Sequence, residues 1–196
     1  ALRRRQMLVP SRVRSTPHYA TGYANQREQV LAAGNVMAPP LQALYELLNS
    51  GKARHAFPFE PARCMAPLPR AYQWVSGAAF TNHVELMRNA VNAELPKKLK
   101  TEPLIYQGSG DTFSGPCDDV LADGEALDID FEAEIAVITG DVPRGANPGQ
   151  ALDAVRLLLL ANAVSLRRLM SGERVHGAGF VPGKPRSALS HGAGGA

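Results

Sequence analysis

The chain has 196 residues, 45% hydrophobic and 20% charged, an ordinary globular balance long enough for one large domain or two small ones. Its net charge of +3 is mild, and the basic excess at Arg3, Arg4, Arg5, Arg12 and Arg14 lacks aromatic interleaving, which speaks for a solvated terminus and against a nucleic-acid interface. No run approaches the roughly 20 apolar residues of a membrane span, no signal-peptide pattern opens the chain, and Cys64 and Cys117 lack metal-ligand spacing, so the expected setting is cytoplasmic with no membrane partner.

In chain order, the spacing of Leu41, Leu44, Tyr45, Leu47 and Leu48 predicts a helix over residues 35–52, with Pro39 and Pro40 in its first turn and Gly51 at its end. The proline-punctuated segment from Phe57 to Arg70 reads as an extended connector that divides the chain. Beyond it, His83 lies two residues before Glu85 in AAFTNHVELMR. A histidine near a carboxylate suits a general base or the orientation of a metal-held water, and equally a plain surface position. Tyr106, Gln107 and Gly108 form a polar cluster after an apolar run, either a loop or a ligand-facing stretch where glycine lets the backbone come close.

From Asp128 to Ile138 the residues alternate. Ile129, Phe131, Ala133, Ile135 and Val137 share one face of a strand, and Asp130, Glu132 and Glu134 the other. Glu132 and Glu134, at i and i+2, are close enough to share a divalent cation through hard oxygens, while a strand with a wet acidic face explains them as well. Two such charges repel unless a cation or a base neutralises them. Asn147-Pro148-Gly149-Gln150 has the cap and first-position proline of a helix start. The apolar run Val155 to Val164 is buried, with periodicity unable to separate helix from strand. Arg167 and Lys184 suit the carboxylates of an acidic substrate, or surface positions. The glycine-rich end from His191 is expected to be disordered.

Taken together, PLPRAYQW (67–74), NHVELMR (82–88), PLIYQGSGDTFSGP (103–116), IDFEAEIAVITGDV (129–142), ANAVSLRRL (161–169) and GFVPGKP (179–185) occur in an order that resembles the bacterial branch of the fumarylacetoacetate hydrolase family. HYATG (18–22) and LNSGKARHAFPF (48–59) resemble its small N-terminal domain. The resemblance implies an α+β, β-rich fold. A small N-terminal domain would cover residues 1–66, the first part of a β-roll catalytic core residues 67–190, and a disordered tail residues 191–196. It also implies a homodimer once the core closes, and further core strands beyond Ala196.

The activity implied is metal-dependent hydrolysis of the carbon–carbon bond between two carbonyls, fumarylacetoacetate going to fumarate and acetoacetate at the end of tyrosine breakdown. By resemblance, Glu132 and Glu134 match two ligands of Mg²⁺ or Ca²⁺. His83 matches the water-activating histidine with Glu85 as its partner, and Tyr106, Gln107, Arg167 and Lys184 lie near the diketo-acid substrate. The chain departs from the family at Ala163, where a metal-binding Asp is expected, at Ser76 and Phe80, where Asp and Tyr are usual, and at Asn89 and Asn92. A methyl group coordinates no cation, so Glu132 and Glu134 are expected to be poorly neutralised. Two functions follow: a fumarylacetoacetase-like hydrolase, or a non-catalytic chain that associates with a full-length relative.

Overall fold

The computed structural model describes residues 2–3, 6–7, 30–31, 34–54, 56–78, 80–95, 97–98, 101–177, 179–191 and 194–195. The HYATG motif and Arg4, Arg5, Arg12 and Arg14 lie outside the described residues. Helices and small sheets alternate along the chain. Among the described residues no helix is long and apolar enough to cross a membrane.

Near the N-terminus, β1 (Leu2–Arg3), β2 (Gln6–Met7) and β3 (Phe57–Pro58) form a short antiparallel sheet. Helix α1 (Gly34–Asn49) buries Met37, Pro40, Leu44 and Leu48 at three- and four-residue spacing, one stripe of an amphipathic helix. It begins upstream of Pro39 and Pro40, so the prolines fall inside the helix instead of in its first turn. Tyr45 and Leu47 point outward, being 47% and 38% exposed. Gly51 ends the helix region at φ 74°, a left-handed conformation that glycine adopts without a Cβ penalty.

The remainder is arranged around two strand pairs. β4 (Trp74–Ala78) pairs antiparallel with β5 (Leu104–Gly108), setting Ser76 opposite Tyr106, and α2 (Thr81–Ala90) lies between them in sequence. β7 (Ala133–Thr139) pairs antiparallel with β8 (Val155–Asn162). Between them, α3 (Pro148–Asp153) starts on the expected signal: the Asn147 side chain accepts from the Gln150 N–H at 2.9 Å, and the Gln150 side chain accepts from the Asn147 N–H at 3.0 Å. The apolar run is therefore a strand.

The strand expected over 128–138 is broken. β6 (Ile129–Asp130) pairs with β9 (Ser165–Leu166), the ladder lapses at Phe131 and Glu132, and β7 resumes against β8. Asn162 Oδ1 accepts from the Glu132 N–H and the Ala163 N–H donates to the Glu132 carbonyl, so the crossover keeps its backbone bonded. Helix α4 (Arg167–His176) follows β9 directly. Finally β10 (Ala188–Leu189) and β11 (Gly194–Gly195) both add antiparallel to β8. Backbone groups of Gly194 and Gly195 pair with Leu158 and Leu157, which needs no side chain.

The faces of β7 are also inverted relative to a wet acidic face. Its inward side carries Glu134, Ala136 and Ile138, and the core beneath is built from Ala66, Phe113, Ala136, Leu159, Ala161 and Leu189, with Trp74 edge-on to Phe113. The outward side exposes Phe131 (69%), Ile135 (66%), Val137 (47%), Leu158 (44%) and Leu160 (66%), with Ile135 opposite Leu160 and Val137 opposite Leu158. The carboxylates turn inward because basic and hydroxyl groups wait there for them.

Candidate functional site

The β6–β7 crossover delivers Asp130, Glu132 and Glu134 to one side, where Ser76 and Tyr106 come from β4 and β5, Ser165 and Arg167 from the β9–α4 junction, and Lys184 from the loop before β10. Glu132 is the centre. Its Oε1 accepts from Ser165 Oγ at 2.7 Å and pairs with Arg167 Nη2 at 2.6 Å, and its Oε2 accepts from Lys184 Nζ at 2.8 Å. Arg167 also holds Asp130, with Nε and Nη2 each 2.8 Å from Oδ2. Lys184 donates a further hydrogen bond to the Ala163 carbonyl at 3.1 Å, and Glu134 Oε1 accepts from Ser76 Oγ at 3.0 Å.

Electrostatics follow from these contacts. Desolvation pushes the Glu132 carboxyl up, but hydrogen bonds from Lys184 and Ser165, with the charges of Lys184 and Arg167, outweigh it and hold it below the usual carboxylate range. Burial, and then the charges of Glu134 and Glu132, push the Tyr106 phenol up to about 12 against a hydrogen bond with the Trp74 side chain. At neutral pH that phenol is a donor, not an anion. The Lys184 ammonium stands 5.5 Å over the Tyr106 ring, and Phe180 packs edge-on to it at 6.2 Å, giving the cluster an aromatic wall.

The loop that carries Lys184 is pinned. Glu173 of α4 accepts from the Val181 N–H at 2.6 Å and the Gly183 N–H at 3.0 Å, and the Leu166 N–H donates to the Gly183 carbonyl at 2.8 Å. Gly183 has to be glycine: a Cβ there would collide with Glu173 Oε2 and the Met170 side chain, and would sit 2.9 Å from the Met170 backbone nitrogen.

Of the residues singled out in the sequence, Tyr106, Glu132, Glu134, Arg167 and Lys184 converge. No hydrogen bond, ion pair or ring contact of the described residues joins His83, Glu85 or Gln107 to them. His83 is exposed on α2, and Glu85, two positions on, is half-buried on another side, since helix positions i and i+2 do not face each other. Gln107 follows Tyr106 on β5 and so projects from the opposite, exposed face. Arg167 and Lys184, expected to await a substrate carboxylate, are engaged by the chain's own carboxylates. Ser165, wholly buried, and Glu173 were missed. The i, i+2 carboxylate pattern pointed at Glu132, the partner of Ser165, but nothing local marks a serine whose partner lies 33 residues away, or a glutamate that binds the backbone of a following loop.

Mg²⁺ or Ca²⁺ fits these residues poorly. Among the described residues no group of three or more His, Cys, Asp or Glu is placed to hold a metal ion. Both oxygens of Glu132 are engaged, the buried Ala163 contributes a methyl group, and the Ser76 hydroxyl is given to Glu134. Of the poor neutralisation expected for Glu132 and Glu134, that of Glu132 is corrected by Lys184 and Arg167, while Glu134 meets the Ser76 hydroxyl. An open cleft lined by Trp74, Phe113, Ala136, Ile138, Asp141 and Arg156 continues along the same faces of β4 and β7, and the carboxylate cluster does not line it.

Comparison with known proteins agrees with the order of motifs. The family model described as fumarylacetoacetate (FAA) hydrolase C-terminal matches residues 73–190, more than half of the chain, and that described as fumarylacetoacetase N-terminal domain 2 matches residues 6–70. A 2,4-didehydro-3-deoxy-L-rhamnonate hydrolase of Sphingomonas sp. (strain SKA58) is 30% identical over 79 residues, covering 40% of this chain and 27% of the relative. A fumarylacetoacetate hydrolase domain-containing protein 2 homolog of Dictyostelium discoideum is 24% identical over 110 residues, covering 56% and 33%. The matched stretches thus span about a third or less of these curated relatives. The chain belongs to the fumarylacetoacetate hydrolase family.

Proposed function

We propose that this member of the family takes a β-diketo acid at the Glu132 cluster and hydrolyses the carbon–carbon bond between its carbonyls, with fumarylacetoacetate the first substrate to test. The observation supporting this reading is the convergence of Tyr106, Glu132, Glu134, Arg167 and Lys184 on one half-buried patch. There Glu134 takes a proton from water, and the water oxygen bonds to one carbonyl carbon. The bond to the neighbouring carbon breaks, and its electron pair leaves onto the second carbonyl as an enolate. Tyr106 is the donor for that oxygen, and the proton held by Glu134 returns to carbon. No step runs through a metal. The rhamnonate hydrolase relative makes a 3-deoxy diketo sugar acid the second substrate to try.

Continuous assay of fumarylacetoacetate loss, with acetoacetate as product, is the test. Turnover that falls about 100-fold or more in Glu134→Gln supports the reading, in line with loss of a general base. Turnover unchanged in that variant overturns the assignment of Glu134.

A second reading, a non-catalytic chain that acts by association with a full-length relative, is favoured by one observation: the cations that would greet a substrate are already bound to Glu132. A folded chain that turns over neither acid, yet binds and alters the activity of a full-length relative, supports it.

A further inference from the structure

We propose that Lys184 is the resident counter-cation of Glu132, so that this chain closes its carboxylate cluster with its own charges and without a divalent metal ion. The inference is independent of the substrate reading, since it concerns what holds the cluster together.

Coordination geometry comes first. A hard cation takes carboxylate oxygens at about 2.0–2.6 Å. Glu132 Oε2 holds the Lys184 ammonium at 2.8 Å, and Oε1 is shared by Ser165 and Arg167. A cation arriving at Glu132 would have to displace the ammonium, whose side chain is only 7% exposed. A displaced ammonium there would be left buried and unpaired, a strongly unfavourable state. Of the surrounding groups, the Ala163 carbonyl accepts from Lys184 and the Ser165 hydroxyl is spent on Glu132, which leaves Glu134, itself bonded to the Ser76 hydroxyl, as the carboxylate without a cation beside it.

Charge balance points the same way. Asp130, Glu132 and Glu134 face Arg167 and Lys184, leaving a single excess negative charge that Glu134 carries near the Ser76 hydroxyl and the Tyr106 phenol. The cluster therefore needs little further neutralisation.

Lys184 also arrives by construction. Glu173 fixes two backbone N–H groups of the preceding loop, the Gly183 carbonyl is bonded to Leu166, and the space at Gly183 admits no side chain. Glu173 is thus the positioning residue that aims the ammonium at Glu132.

The experiment is thermal unfolding of the full chain in EDTA and in millimolar MgCl₂ or CaCl₂, paired with calorimetric titration of each ion. Coincident midpoints and no saturable heat are expected. Saturable binding of either ion with a matching rise in Tm would overturn the proposal. In EDTA, Lys184→Met is expected to lower Tm by on the order of 10 °C, and Lys184→Arg to restore most of it. A Lys184→Met chain as stable as the parent would overturn the role of this residue. Should that variant fail to fold, the ion titration of the parent chain still decides.

Discussion

Lys184 Nζ lies 2.8 Å from Glu132 Oε2, although 52 residues separate the two in the chain. A buried pair of this kind is costly to break from one side, because the surviving charge stays desolvated.

Glu132→Gln should therefore destabilise the fold by about 3–5 kcal/mol, read from the urea midpoint at constant m-value. The double change Glu132→Gln with Lys184→Met should recover part of that loss, since neither charge then remains buried alone. Additive losses in the double variant would mean that the two side chains act separately.

Acid should weaken the fold through the same group. The folded-state pKa of Glu132 is lowered, so its contribution is present above the unfolded carboxyl pKa and is lost as pH falls through the folded value. The parent chain should lose stability on acidification more steeply than Glu132→Gln, compared by urea titration across the acid range. Equal slopes would mean that Lys184 and Arg167 do not hold the Glu132 carboxyl below the usual carboxylate range.

At the alkaline end Tyr106 governs. The folded protein holds the phenolic proton up to about 12, whereas the unfolded chain releases it near 10.0, so stability falls as pH rises between those values. Phenolate absorbance should show a late-titrating component that disappears in Tyr106→Phe. A titration of the parent with no late component would place Tyr106 in water.

Gly183→Ala should cost on the order of 1–3 kcal/mol, because the added methyl meets Glu173 and the backbone of Met170 instead of a yielding side-chain end alone. Urea denaturation measures it. A neutral result would mean that the loop relaxes freely and that Lys184 is not rigidly aimed.

The aliphatic face of β7 and β8 should bind a hydrophobic dye in the folded state, and Leu160→Lys should reduce that signal without loss of helix or strand content by circular dichroism. Dye fluorescence unchanged by Leu160→Lys would assign the signal to another exposed patch.

Several elements were legible from short-range pattern. Asn147-Pro148 with Gln150 specifies a capping box through contacts within four residues, and the apolar spacing after Asn35 specifies α1 to within a few residues of its bounds. The alternation around Glu132 and Glu134 reads as one strand over 128–138, of which the structure keeps β6 and β7 on either side of a break, with both carboxylates near Tyr106. The lapse at Phe131 was not legible, because it arises where one strand changes partner from β9 to β8. Nor was the direction of the faces: periodicity separates apolar from acidic residues but does not say which set meets the core.

By itself, then, the sequence determined the local elements, the family resemblance and the identity of most clustered residues, since these rest on spacing along the chain. Tertiary structure alone decided that Lys184 and Arg167 neutralise Glu132, that Gln107 turns away from Tyr106, and that Ile135 and Leu160 face outward. Those outcomes depend on which distant segments meet. The energy of a carboxylate is set by the charges brought within hydrogen-bonding distance of it, whatever their separation in sequence.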